Sequence, residues 1–351
     1  MSNAKNPRRS TVVNLVLIAV GFALLALAVR QNRGKLAEVF SRRVDFGLLG
    51  LALAIYLTAL VSTFVRWFTL VRAVGLDTRP ADAIRLGFIG NVFNLVIPGA
   101  VGGDVIKAVF LARAHPRSKA SAVASMVIDR LLGLAGLFLL AGVAGLFALG
   151  RANPQVRVLI ATVWVLLAVG LAGLFVLFQP QLYPLLDRLA ARRARVAKVV
   201  AELESSASAY RSKPGLIVGA LLASSCIHGL YVVAFYAASR AVFDDLPTFA
   251  EHFLIVPLVL FTTAVPLPFG ALGLTENASG LLFALGKAAD AGSAANGAVA
   301  MMAFRTIMYA SGLISLVVYL ANLGWVRDLT NPGARAILED GPAGPAVEPL
   351  A

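Results

Sequence analysis

The feature that most constrains this chain is a set of long apolar runs, two of which are broken in the same way. Residues 11–29, 46–71, 121–149, 156–178, 215–239 and 294–323 are continuously apolar, each close to or above the ~20 residues that a bilayer crossing needs. Two further apolar regions are interrupted, 84–113 at PGAVGGD and 252–286 at PLPFGALGLTE. Of the 351 residues 59% are hydrophobic and only 14% charged, whereas soluble domains carry about a quarter charged residues. The pattern predicts an all-α polytopic membrane protein with about six full transmembrane helices and two broken or re-entrant helical hairpins.

The halves of the first broken region are too short to cross a ~30 Å hydrocarbon core at 1.5 Å per residue. They are expected to enter and return as a hairpin. The region 252–286 fits either a hairpin or two tight crossings, and both return the chain to its starting side. A helix break is tolerated at membrane depth only inside protein or beside a water-filled cavity. Each interruption is therefore expected to line a polar cavity.

The interruptions also match each other. Gly99-Ala100-Val101-Gly102 aligns with Gly270-Ala271-Leu272-Gly273, and an acid follows shortly in each. Upstream, RAVG from Arg72 aligns with RAVF from Arg240; downstream, ASMVIDR ending at Arg130 aligns with VAMMAFR ending at Arg305. Three matches in chain order predict an internal repeat with halves at about 46–149 and 215–323. Three full crossings between Arg72 and Arg240 would make it an inverted repeat, an arrangement that places transport sites at broken helices near the midplane.

A charge at the centre of a membrane helix costs about 2.5–3.5 kcal/mol on insertion scales, so such residues face a cavity and a partner. Asp104 and Glu276 follow the breaks; Arg130 and Arg305 lie inside long apolar runs. One reading is structural: the acids complement the positive ends of the helices that follow them, and the arginines pair with them. The other is functional: the arginines offer forked donors to a lipid phosphate while the acids take a cation, a lipid amine or a proton. Glycine-rich backbone adds N–H groups near that phosphate. The candidate cavity residues are Asp104, Arg130, Glu276 and Arg305, with Pro98, Gly99, Gly102, Gly103, Pro268, Gly270 and Gly273 at the breaks and Asp129 as a helper. Arg66, next to Trp67, is expected to snorkel to the interface.

The formal charge of +13 would suggest nucleic acid in a soluble chain. Here the basic residues lie between apolar runs, which fits topology and anionic lipid heads instead. Residues 187–213 read as a basic amphipathic linker on the cytoplasmic leaflet, or as a solvated connector. The segment 11–29 is long for a signal peptide and reads as an uncleaved first helix, with the N-terminus cytoplasmic. Residues 1–326 form the transmembrane domain, and 327–351 read as a disordered tail. His115, His228 and His252 lack metal spacing, no P-loop or nucleophile-elbow motif is present, and the lone Cys226 reads as a small core residue. No catalytic residue, metal or cofactor is expected.

NLVIPGAVGGDVIKA, SMVIDRLLGL and PLPFGALGLTE, in that order, resemble the lysylphosphatidylglycerol synthase transmembrane region, or flippase-like domain, over roughly residues 10–325. In fused members that domain moves an aminoacylated phospholipid between leaflets, and a soluble C-terminal domain makes it. By that resemblance Asp104, Arg130 and Glu276 match motif positions in the membrane cavity. Nothing after Trp325 reads as an aminoacyl-transferase, so synthesis of the lipid is not expected.

The resulting expectation is a lipid flippase of the inner membrane acting on anionic or amino-lipids, in contact with a lipid-modifying enzyme or alone. A small-solute transporter, a non-transporting partner of such an enzyme, and a lipid transferase are the alternatives.

Overall fold

A computed structural model describes residues 30, 33, 44–96, 102–190, 194–264, 271–286 and 291–325. Among the described residues the structure is helical and contains no strand. The helices are α1 (Phe46–Ala73), α2 (Pro80–Val96), α3 (Gly102–Ala114), α4 (Lys119–Ala148), α5 (Pro154–Leu177), α6 (Leu182–Ala190), α7 (Ala194–Arg211), α8 (Pro214–Arg240), α9 (Phe249–Phe261), α10 (Leu274–Gly286) and α11 (Ala291–Ala321). Five of these, α1, α4, α5, α8 and the 294–321 part of α11, are long and apolar enough to cross a membrane. The chain is an all-α polytopic membrane protein. The expected first span at 11–29 lies outside the described residues, as do 1–10 and the tail from 326.

Local chemistry sets the starts of several helices. Asp45 accepts from the Leu48 N–H at 3.0 Å at the head of α1, and Asn153 accepts from Val156 N–H at 2.9 Å ahead of Pro154 in α5. Thr248 and Glu251 form a reciprocal capping box on α9. Such caps satisfy N–H groups that a helix start leaves without partners.

Side-chain bonds from α7 and the α7–α8 turn fix the direction of the long helices. Lys213 Nζ donates to the Ala73 carbonyl at the end of α1 (2.9 Å), and Arg211 donates to the Phe178 carbonyl just past α5 (3.0 Å). The Ala120 N–H, in the first turn of α4, donates to Glu202 (2.7 Å). The end of α1 and the start of α4 therefore share one face, so α2 and α3 between them return to the side they left. On the other face Asp45 N–H bonds the Ala241 carbonyl (3.1 Å) and Asn296 Nδ2 bonds the Asp245 carbonyl (3.2 Å). That brings the start of α11 back to the α8–α9 turn, so α9 and α10 also return to their own starting side. At 13 residues each, or about 20 Å, α9 and α10 are too short to cross alone. The two hairpins enter from opposite faces.

Each half runs long, short, short, long: α1–α4, then α8–α11. The packing is exchanged between halves, with α2 against α11, α9 against α4, and α1 against α8.

Small residues let these helices approach closely. A Cβ on Gly103 would lie 1.9 Å from the Gly90 carbonyl oxygen, and one on Gly136 would lie 2.3 Å from Ser224 Cβ. The Gly103 obstacle is backbone, which no rotamer change relieves. Gly103→Ala is therefore expected to destabilise the protein by about 1–3 kcal/mol, the usual range for overpacking, measured by denaturant unfolding in detergent. Gly219→Ala, where a Cβ meets nothing within 4 Å, is the matched control and should not destabilise.

Candidate functional site: a charged cavity at the middle of the bundle

The first interruption ends where α3 begins, and this puts Asp104 in the first turn of α3, where a carboxylate faces the positive end of the helix. The start of α3 is held by its hairpin partner: Gly103 N–H donates to Asn94 Oδ1 on α2 at 2.8 Å. Lys107, one turn on, sets its Nζ 2.7 Å from Asp104 Oδ1 and 5.1 Å from the Trp67 ring centroid. Arg130 on α4 donates through Nε to the other Asp104 oxygen. One carboxylate thus holds two cations. They differ in access: the Lys107 side chain is 7% exposed and that of Arg130 44%.

A second charged group adjoins the first. Arg66 on α1 donates through Nε to Asp129 Oδ1 (3.0 Å), through Nη1 to Ser224 Oγ (2.5 Å) and through Nη2 to the Asp129 carbonyl (3.4 Å). Snorkelling, expected for Arg66, does not occur. The residue is buried at 8% exposure, because Asp129 and Ser224 take a bond from each of its three guanidinium nitrogens inside the bundle and make the route to the interface unnecessary. Asp129, expected as a helper beside Arg130, instead serves Arg66.

Both groups line one cavity of about 440 Å³, within the range of about 300–1,000 Å³ typical of small-ligand sites. Its lining residues Leu60, Leu134, Ile227 and Phe304 fall near the middle of α1, α4, α8 and α11, at the depth where polar groups need an enclosure. Those apolar side chains form much of the wall. Among the described residues the charged lining consists of Arg66, Lys107 and Arg130 against Asp104 and Asp129, an excess of one positive charge. Asn91, Asn94, Thr63 and His228 add neutral polar groups.

The second interruption builds a related pair in a different setting. Glu276 lies in the first turn of α10 and accepts from Arg305 Nε on α11, as Asp104 accepts from Arg130. Glu276 also accepts from the Gly273 N–H (2.7 Å) and the Thr275 hydroxyl (2.9 Å), and Thr275 in turn accepts from Arg305. The turn before α10 uses left-handed backbone at Ala271 (φ 54°) and Gly273 (φ 80°), of which only glycine adopts the second without strain. The Glu276 side chain is 0% exposed and that of Arg305 5%. Neither lines the cavity, although both were expected at a cavity wall.

Of the other expected residues, Gly102 and Gly103 are buried at the head of α3 and Gly273 at the head of α10. Pro98, Gly99, Pro268 and Gly270 lie outside the described residues. Sequence reasoning missed Lys107, Asn94, Thr275 and Ser224. The available signal for Lys107 was a cation three residues after Asp104 in an apolar helix, a spacing that places both on one face. Among the described residues no three His, Cys, Asp or Glu side chains gather as for a metal.

Long helices packed around two opposed helical hairpins, with an acid and an arginine paired at each, define a multi-pass membrane protein with intramembrane ion pairs. The chain belongs to the lysylphosphatidylglycerol synthase TM region family, whose sequence pattern it matches over residues 12–325. It is also similar to a UPF0104 membrane protein of Pyrococcus horikoshii, with 27% identity over 136 residues, covering 38% of this chain and 41% of that one. The match thus spans about two fifths of that curated relative. No solved structure matches the chain.

Proposed function

We propose that this protein is a non-enzymatic lipid flippase of the inner membrane, moving a lipid headgroup between leaflets through the charged cavity while the acyl chains stay in lipid. The observation that carries this reading is the cavity itself: paired charges, one of them accessible, against an apolar wall at the middle of the spans. The size supports a headgroup as its occupant rather than a whole diacyl lipid. The two opposed hairpins, each with its own acid–arginine pair, support an inverted repeat in which the halves exchange roles as the cavity opens to one face and then the other. On this reading the N-terminus is cytoplasmic, the lipids are anionic or amino-lipids, and a lipid-modifying enzyme supplies or consumes them.

The test is transport in proteoliposomes carrying head-labelled lipids, with dithionite bleaching as the readout. Wild type should expose inner-leaflet label faster than empty liposomes. Asp104→Asn, which leaves Lys107 and Arg130 without their shared carboxylate, should slow exposure at least tenfold. An unchanged rate in Asp104→Asn would remove the cavity from the path.

A further inference from the structure

We infer that the cavity recognises a singly charged phosphodiester group by exchange of partners: the phosphate takes Arg130 from Asp104, and Lys107 keeps Asp104 paired. This rests on the transport reading above and specifies its substrate class and a residue that sets it.

Three observations meet in this assignment. The cavity lining carries three cations and two carboxylates, so one monoanion brings it to neutrality, the favourable condition at membrane depth. Arg130 is the cation whose side chain is accessible, at 44%, whereas Lys107 and Arg66 stand at 7% and 6%. A guanidinium matches a phosphate with two parallel N–H donors. Finally, Asp104 holds a second cation at 2.7 Å, so Arg130 can leave it without stranding a buried carboxylate.

The other half of the protein supplies the internal comparison. Three residues after Glu276, where Lys107 stands relative to Asp104, the chain has Ser279, whose hydroxyl donates to the Gly297 carbonyl (2.8 Å). If Arg305 withdrew, Glu276 would keep, among the described residues, a hydroxyl and one backbone N–H. Breaking a buried pair in that way is strongly unfavourable. Exchange is therefore confined to the first half, and Lys107 is the residue that permits it. Lys107 is thus a positioning residue that acts through Asp104. A cationic amino-lipid would add a fourth positive charge to a cavity with an excess already, and a zwitterion would leave that excess in place. Both are expected to bind poorly, which narrows the anionic or amino-lipids of the transport reading to the anionic ones.

The experiment is equilibrium binding of tritiated dihexanoyl-phosphatidylglycerol to the full chain, solubilised in a maltoside detergent and immobilised on scintillation-proximity beads. Competitors are unlabelled dihexanoyl-phosphatidylglycerol, dihexanoyl-phosphatidylcholine and glycerophosphoglycerol. Saturable binding is expected, with phosphatidylcholine competing at least tenfold more weakly. Lys107→Gln should weaken binding at least tenfold and Lys107→Arg should restore it, a rescue that follows charge and not packing volume. Equal competition by phosphatidylcholine, absence of binding, or wild-type affinity in Lys107→Gln overturns the exchange. If the selectivity fails while proteoliposome transport persists, the transport reading stands without it. If glycerophosphoglycerol, the same phosphodiester without acyl chains, competes as well as the lipid, the anion exchange stands and the lipid reading falls in favour of a small solute.

Discussion

Arg305→Met is expected to lower stability by about 3–5 kcal/mol, measured by equilibrium unfolding of the detergent-solubilised protein in a denaturing-surfactant titration. The magnitude is that of removing one partner from a buried ion pair and leaving the other charge uncompensated. Glu276, with a fully buried side chain, would then rely on the Gly273 N–H and the Thr275 hydroxyl, and Thr275 would itself lose a donor. The double variant Glu276→Gln/Arg305→Met should recover most of the loss, because a buried pair is costly to break but often neutral to replace. If Arg305→Met unfolds like wild type, the pair contributes nothing to the fold, and its near-complete burial needs another explanation.

Arg130→Gln should give the opposite profile. Its expected effect is a loss of lipid exposure of about 10- to 100-fold in the proteoliposome assay, with little change in unfolding. The rate estimate follows from hydrogen bonds to charged groups being worth about 1.5–3 kcal/mol, with about 1.4 kcal/mol per factor of ten. The stability estimate follows from Lys107, which still neutralises Asp104 after the change, and from the exposure of the Arg130 side chain. Arg130→Lys should restore only part of the rate, since a point charge cannot reproduce two parallel donors. A fall in stability as large as that of Arg305→Met would assign Arg130 the same structural role as its counterpart.

Much of this architecture was legible because hydrocarbon permits so little. Long apolar runs at 46–71, 121–149, 156–178 and 215–239 read as helices and correspond to α1, α4, α5 and α8 within a few residues. The breaks were legible for the same reason, since proline and glycine beside an acid are expensive at that depth. The candidate acids and arginines followed from charge inside apolar runs. Their partners were harder to read. Asp104–Arg130 and Glu276–Arg305 are joined across 26 and 29 residues, and the repeated order of the motifs gave a reason to pair them. Arg66 with Asp129 and Ser224 spans three helices, and no local pattern connects those positions. The contrast in burial between the two pairs was also illegible, since it depends on how α4 and α11 pack, while each motif reads alike as glycines, an acid and a distant arginine.

The attachment of α7 to the first turn of α4 has a mechanical consequence. Glu202 and Ser206 hold Ala120 and Ser121, so any tilt of α4 during transport would pivot about that end. Its 30 residues span about 45 Å, and Arg130 lies about 15 Å from the pivot. A swing of about 10° then carries the far end about 8 Å but moves Arg130 by only about 3 Å, on the same helix geometry. That short arc is comparable to a hydrogen-bond length. On the transport reading, a rotation of that size would part Arg130 from Asp104 and would open a wide gap at the opposite face.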